Sequence, residues 1–114
     1  MKNDRFEYDS KGRLARCIFD NGNYIHIFER YEDGTIEKET IYKNGKLYEV
    51  TYRDREERML LFEMVECNRY TIFAYDENYD KFRPSHEFTY KNDELIEETH
   101  YGKTVFGILA ENYA

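Results

Sequence analysis

Between residues 5 and 53, apolar and polar side chains alternate in short runs, and each run ends in a polar turn that carries a glycine. The turns read SKGR, DNGN, EDGT and KNGK, with Gly12, Gly22, Gly34 and Gly45 spaced by 10, 12 and 11 residues. That spacing is one strand plus one tight turn. The runs between them are rich in Phe, Tyr, Ile, Val and Thr, which suit a pleated surface. Asn-Gly and Asp-Gly suit hairpin turns, in which both central residues need positive φ. The pattern predicts an antiparallel meander of five strands.

Two-residue loops fix a register. The Asn21-Gly22 loop pairs Phe19 with Tyr24, Cys17 with His26 and Ala15 with Phe28. The Asp33-Gly34 loop pairs Arg30 with Glu37 and Glu29 with Lys38, and the Asn44-Gly45 loop pairs Ile41 with Tyr48 and Glu39 with Val50. The Lys11-Gly12 loop pairs Glu7 with Arg16 and Phe6 with Cys17. Opposite charges thus face one another, as cross-strand pairing favours. One face collects Phe6, Tyr8, Ala15, Cys17, Phe19, Tyr24, His26, Phe28, Ile41, Tyr48, Val50 and Tyr52 and reads as the core face. The other mixes Ile18, Ile25, Ile27, Tyr42 and Leu47 with Arg16, Glu29, Lys38, Glu49 and Arg53 and reads as half-solvated. Glu37 and Glu39 fall on the core face and are expected near its rim.

Two motifs recur. FEYD at Phe6–Asp9 returns as FAYD at Phe73–Asp76, and YKNGKLYE at Tyr42–Glu49 returns as YKNDELIE at Tyr90–Glu97. Phe-x-Tyr sets two aromatics on one face, and the Asp leads into a turn. The chain reads as two sets of hairpins, the second shorter. Between them, DREERMLLFEMVEC at Asp54–Cys67 favours a helix: Asp54 and Glu57 have the spacing of a capping pair, and Met, Leu, Glu and Arg are helix formers. A strand from Arg58 to Glu66 is the rival reading. The expected fold is mainly β, a single domain over residues 1–114. It is a meander of hairpins forming a curved sheet or small barrel, with one short helix at about 54–67.

Composition narrows the class. The 114 residues include 12 Tyr and 8 Phe, too many aromatics for a disordered chain even though 36% of residues are charged. Two cysteines do not make a disulfide framework. No apolar run approaches the roughly 20 residues of a membrane span. With no apolar leader segment at the N-terminus, a cytoplasmic location is the expectation.

Net charge is −7, while residues 1–16 carry +2 and the remainder therefore −9. An acidic body argues against binding nucleic acid through its phosphates and suits a protein partner with a basic site. The densest acidic patch of the meander surrounds the Asp33-Gly34 turn. Glu32, Asp33, Glu37 and Glu39 are accordingly the candidate partner-binding residues.

Few constellations suggest chemistry. Cys17 opposite His26 has the reach of a nucleophile and its base, but a thiol among core aromatics stays protonated. His86-Glu87 in HEFT lacks the HExxH spacing of a zinc site. Asp93, Glu94, Glu97 and Glu98 lie along one hairpin, where Glu97 and Glu98 point to opposite faces. No catalytic residue, metal or other cofactor is expected.

The run FEYDSKGRLARCIFDNGNY resembles the YD repeat of bacterial Rhs-type shell proteins, whose unit is Tyr-Asp-x-x-Gly-Arg-Leu. TIEKETIYKNGKLYEVTY is similar to the MORN-type repeats of small bacterial proteins. Together they cover about residues 6–52. In the second half, Tyr79 and Asp93 stand where Gly12 and Gly45 stand in the first. The resemblance implies a β scaffold or interaction surface and transfers no catalytic residue. A freestanding set of such hairpins is expected to be a small bacterial protein-binding module, such as an immunity protein, antitoxin or inhibitor. The alternative is a small enzyme or a ligand-binding β-barrel.

Overall fold

Every turn of the meander reverses the chain onto its immediate predecessor, and the reversals run on through the second half. The computed structural model describes residues 4–101. Its strands are β1 (Arg5–Tyr8), β2 (Leu14–Phe19), β3 (Tyr24–Arg30), β4 (Ile36–Lys43), β5 (Lys46–Arg53), β6 (Met59–Met64), β7 (Arg69–Ala74), β8 (His86–Lys91) and β9 (Glu94–His100). They form one antiparallel sheet of nine strands in chain order. The sheet is open, so the barrel expected as one alternative is not formed.

The expected helix over Asp54–Cys67 is not formed either. Residues 54–58 are a closed loop, β6 follows, and Val65–Cys67 make a single 3-10 turn. Asp54 does not cap a helix. Its carboxylate accepts the N–H groups of Glu56 and Arg58 at 2.9 and 3.0 Å and so folds the loop back on itself. A strand at β6 also satisfies backbone groups of both β5 and β7, which a helix would leave open within the sheet.

The loops sort by sheet end. At one end the turns are built on an acidic or aromatic anchor: Asp9, Tyr31, Asp54 and Asp76. The Asp9 and Asp54 loops share one hydrogen-bond plan. Asp9 N–H reaches Arg13 O at 2.8 Å and Asp54 N–H reaches Arg58 O at 2.9 Å. In each, the carboxylate also takes the arginine Nε, at 2.9 and 2.8 Å. At the other end lie the turns at Asn21-Gly22, Asn44-Gly45, Val65–Cys67 and Asn92-Asp93. Asn44 and Gly45 have φ of 52° and 79°, and Asn92 and Asp93 have 52° and 64°. The sequence echo YKNGKLYE/YKNDELIE is therefore one hairpin geometry used twice, with Asp93 tolerating the left-handed region in place of glycine.

The register follows expectation in β1–β3: Phe6 lies opposite Cys17, Glu7 opposite Arg16, Cys17 opposite His26 and Phe19 opposite Tyr24. Glu29 opposes Lys38 as expected, but an irregularity next to the turn sets Arg30 opposite Ile36 instead of Glu37. Between β4 and β5 the register shifts by one residue after Tyr42–Leu47, so Ile41 meets Glu49, Thr40 meets Val50 and Glu39 meets Thr51. The expected Ile41–Tyr48 and Glu39–Val50 pairs are thereby overturned. A bulge inserts one extra residue, and one residue of slip exchanges faces. The same irregularity recurs at Thr89/Tyr90 in β8–β9.

The slip redraws the faces. Phe6, Cys17, His26 and Ile41 share a row that continues through Glu49 and Met64. This is the histidine face. Val50 and Tyr52, expected there, stand on the opposite isoleucine face. Its central row runs Ile27, Thr40, Val50, Glu63, Tyr70 and Tyr90. A second row on that face runs Lys38, Tyr52, Leu61, Ile72 and Phe88. Stacked Tyr70 and Tyr90 rings, 5.0 Å between centroids, mark the first row, and Lys38 Nζ lies 5.3 Å from the Tyr52 ring centre in the second.

Neither face is a closed core. Among the described residues, the buried hydrophobics are Cys17, Ile18 and Val50, with Thr40, Ser85 and Thr89 as buried polar residues. The radius of gyration is 17.5 Å, against about 13 Å for a compact domain of some hundred residues. The described residues form a single layer of sheet.

Candidate interaction surface

The loops after β3 and β5 lie side by side at the Asp-anchored end, and the four acids singled out in the sequence as candidates lie here. Glu32, Asp33 and Glu37 are exposed and Glu39 is half-buried. Their environments differ. Asp33 accepts hydrogen bonds from Thr35 N–H at 2.9 Å and Thr35 Oγ at 2.6 Å, with Arg55 3.7 Å away. The Thr35 hydroxyl, followed by its backbone N–H, holds the Asp33 carboxyl below the usual carboxylate range. Glu39 sits on the histidine face, where Arg53 Nε meets its carboxylate at 2.5 Å and His26 Nε2 lies 3.4 Å off. Glu32 and Glu37 are exposed and, among the described residues, take part in none of the ion pairs that engage Asp33 and Glu39.

Arginines brace this rim. Arg30 donates to Gly34 O at 2.9 Å and Leu14 O at 2.8 Å, tying two neighbouring loops together. Arg53 donates to Glu57 O at 3.1 Å and Arg58 to Lys81 O at 2.9 Å, continuing the chain of ties across the sheet. Arg55 stacks on Tyr31 at 4.5 Å and Arg58 on Tyr75 at 4.7 Å. Both tyrosine hydroxyls donate to main-chain carbonyls, Tyr31 to Arg53 O at 2.6 Å and Tyr75 to Met59 O at 2.7 Å. The acidic patch expected from sequence is thus interleaved with cations, and its local charge is lower than a count of acids implies. Lys81, 3.2 Å from Glu56, adds to that neutralisation.

Sequence reasoning missed the groove beside this rim. The chain between β7 and β8 is the longest connection of the sheet. Asp76 folds its start by accepting Asn78 N–H at 2.9 Å, and Ser85 N–H closes its end on Ala74 O at 2.8 Å. Two concavities of about 330 Å³ each flank Pro84. One is lined by Arg53, Met59, Phe73, Tyr75 and Phe82, the other by Tyr79, Arg83, Glu87 and Tyr101. Phe82 is 65% exposed, an aromatic held out at the mouth. Burial, then the neighbouring Glu87 carboxylate, pushes the Tyr101 phenol up. The single proline of the chain was the available signal, since it marks a break in the strand pattern.

The remaining candidates resolve as follows. Cys17 and His26 are directly opposite, and burial pushes the Cys17 thiol up, which keeps it protonated at neutral pH. The His26 ring stacks on Phe28 at 4.5 Å. His86 Nδ1 lies 2.7 Å from Ser85 Oγ, and His100 Nε2 lies 2.5 Å from the Glu98 carboxylate. Ser85 is itself buried and not presented to a substrate. Glu97 opposes Thr89 and Glu98 opposes Phe88, so the two acids point to opposite faces. Among the described residues no group of three or more His, Cys, Asp or Glu side chains is arranged to hold a metal, and no helix is long and apolar enough to cross a membrane.

No protein-family model matches this sequence, and comparison with curated proteins finds no match.

Proposed function

We propose that the protein is a non-enzymatic protein-binding module of the immunity-protein, antitoxin or inhibitor kind. It acts in the cytoplasm on a protein partner that carries a basic site. The observation behind this reading is the Asp-anchored end of the sheet. There, Glu32 stands in solvent on a loop fixed by the Arg30 tie to Gly34 O and Glu37 stands in solvent at the start of β4, beside a groove with an exposed aromatic. Loops that are ordered before binding cost little entropy when a partner arrives. The acids guide a basic partner in, and the groove beside Phe82 receives an apolar side chain at the centre of the contact. The resemblance to YD and MORN-type hairpin repeats, which implies an interaction surface, points the same way.

The test starts with affinity capture from the native host and identification of the bound protein by mass spectrometry. Association of that partner is then followed by stopped flow. Glu32→Lys slows association, the effect shrinks as salt rises, and dissociation changes little, because exposed charges act mainly on the encounter rate. Phe82→Ala speeds dissociation. Association that is unchanged by Glu32→Lys and by Glu37→Lys at low salt removes the rim from the binding surface.

A further inference from the structure

The two faces of the sheet are not equivalent, and the difference concerns a second partner surface away from the loop rim. The histidine face carries Glu39, Glu49, Arg53, Arg69 and Glu87 within its rows. In the central strands β4–β8 the isoleucine face carries Lys38 and Glu63 among Val50, Tyr52, Leu61, Ile72 and Phe88. Tyr52 is 38% exposed and Ile72 37%. A sheet with one apolar face buries it against another layer, and here no second layer is described. Exposed apolar side chains such as Tyr52 and Ile72 on one face suit an interface.

We propose that the isoleucine face is a self-association surface, on which two copies of this chain pack face to face about a two-fold axis parallel to the strands. Three observations favour a second copy as the occupant. The first is size: the two larger extents of the structure, loops included, are 54 and 32 Å, and a face on that scale exceeds the roughly 800 Å² per partner that a standard interface buries. The second is shape. Two sheets stack about 10 Å apart with their inner side chains interdigitated, and Val50 and Tyr52 of β5, the middle strand of the nine, lie where the axis would pass. The third is charge. Rotation about that axis lays β1 and β2 of one copy over β9 and β8 of the other. Isoleucine-face Arg16 then comes within one row of Glu98, which in the single chain is held by His100. Arg16 in turn lies 3.5 Å from Glu7, an exposed pair that a stronger partner can replace. A face whose two margins carry opposite charge is self-complementary under this rotation.

The arrangement keeps strand direction, so both Asp-anchored ends point the same way. The dimer presents two acidic rims side by side and leaves them and the Pro84 grooves uncovered. This inference stands without the proposed function, because it uses neither rim nor groove.

Sedimentation equilibrium of the full chain tests it. The expected result is a species of twice the 14.0 kDa chain mass. Ile72→Lys, on the isoleucine face and in neither the rim loops nor the groove lining, returns the single-chain mass while circular dichroism still reports a β-sheet. Arg16→Glu weakens the dimer by about tenfold or more, and adding Glu98→Arg to the same chain restores it. That double exchange decides the matter even if Ile72→Lys does not fold. A chain that stays monomeric at high concentration overturns the proposal. So does a dimer indifferent to Arg16→Glu, or one broken only by Phe6→Lys at the β1 edge.

Discussion

Glu57 occupies, in the loop anchored by Asp54, the position that Gly12 occupies in the loop anchored by Asp9. Both donate their N–H to the anchoring residue's carbonyl at 2.9 Å, and both have positive φ, 67° for Glu57 and 80° for Gly12. A long side chain in the left-handed region costs about 1 kcal/mol that glycine does not incur. Glu57→Gly is therefore expected to raise stability by up to about 1 kcal/mol, less whatever glycine loses through greater freedom in the unfolded chain. Urea unfolding gives the number. A destabilised variant means that the Glu57 side chain contributes more than its backbone strain costs.

The two cysteines differ in access. Cys17 is 5% exposed and Cys67 lies exposed in the 3-10 turn before β7. A thiol reagent added to the native protein is expected to label Cys67 within the mixing time of a manual assay. Cys17 should react only as the chain opens, its rate rising with denaturant. Equal rates for both thiols in native buffer contradict the burial of Cys17 and with it the inert state of the Cys17–His26 pair.

Acid should unfold the loops from their anchors. Asp9, Asp33 and Asp54 all have carboxyls below the usual range. For Asp9 the leading cause is the Arg13 backbone N–H, and for Asp33 the Thr35 hydroxyl. For Asp54, burial pushes upward, but the Arg58 backbone and side chain and the Glu56 N–H together outweigh it. A carboxyl lower in the folded than in the unfolded state stabilises fully above the unfolded value, near 3.9, and loses that contribution as pH falls through the folded value. Tm should therefore hold steady from pH 7 to about 5 and drop below about 4. Asp54→Ala should cost about 1–2 kcal/mol at neutral pH by leaving two loop N–H groups and Arg58 without their partner, and should flatten the acid drop. An unaltered acid limb in Asp54→Ala would place the acid-sensitive groups elsewhere.

The first-half turns are legible in sequence because positive φ is written in residue type: Asn-Gly and Asp-Gly announce themselves. Next to two of those turns the pairs follow, Phe19 with Tyr24 and Tyr42 with Leu47, while next to the Asp33-Gly34 turn an irregularity sets Arg30 opposite Ile36 and not Glu37. The bulge beyond Tyr42 is not legible, because it inserts a residue without a marker, and it moves Val50 and Tyr52 to the other face. MLLFEM at β6 is ambiguous by itself: six mostly apolar residues suit a buried helix turn or a strand, and only the open edges of β5 and β7 decide. Of the candidate acids, Glu32 is where sequence places it, while the pairing of Glu39 with Arg53 depends on that same hidden slip. The Pro84 groove is set by how the Asp76–Ser85 chain folds back, a tertiary matter with no local periodicity.

Each strand pairs only with its neighbours in the chain, and this locality governs how the protein comes apart. Nothing closes the sheet from β1 to β9, so no single long-range contact must form before the rest can. Such an array behaves as a row of coupled units, each stabilised by the pair beside it. Folding can begin at any hairpin and spread in both directions, and the low sequence separation of its contacts makes it fast for a β-protein. Loss of order runs inward from the outer strands, so the described residues span a gradient of local stability from edge to centre. A family of such chains can gain or lose one hairpin in the middle of the row and keep the same architecture.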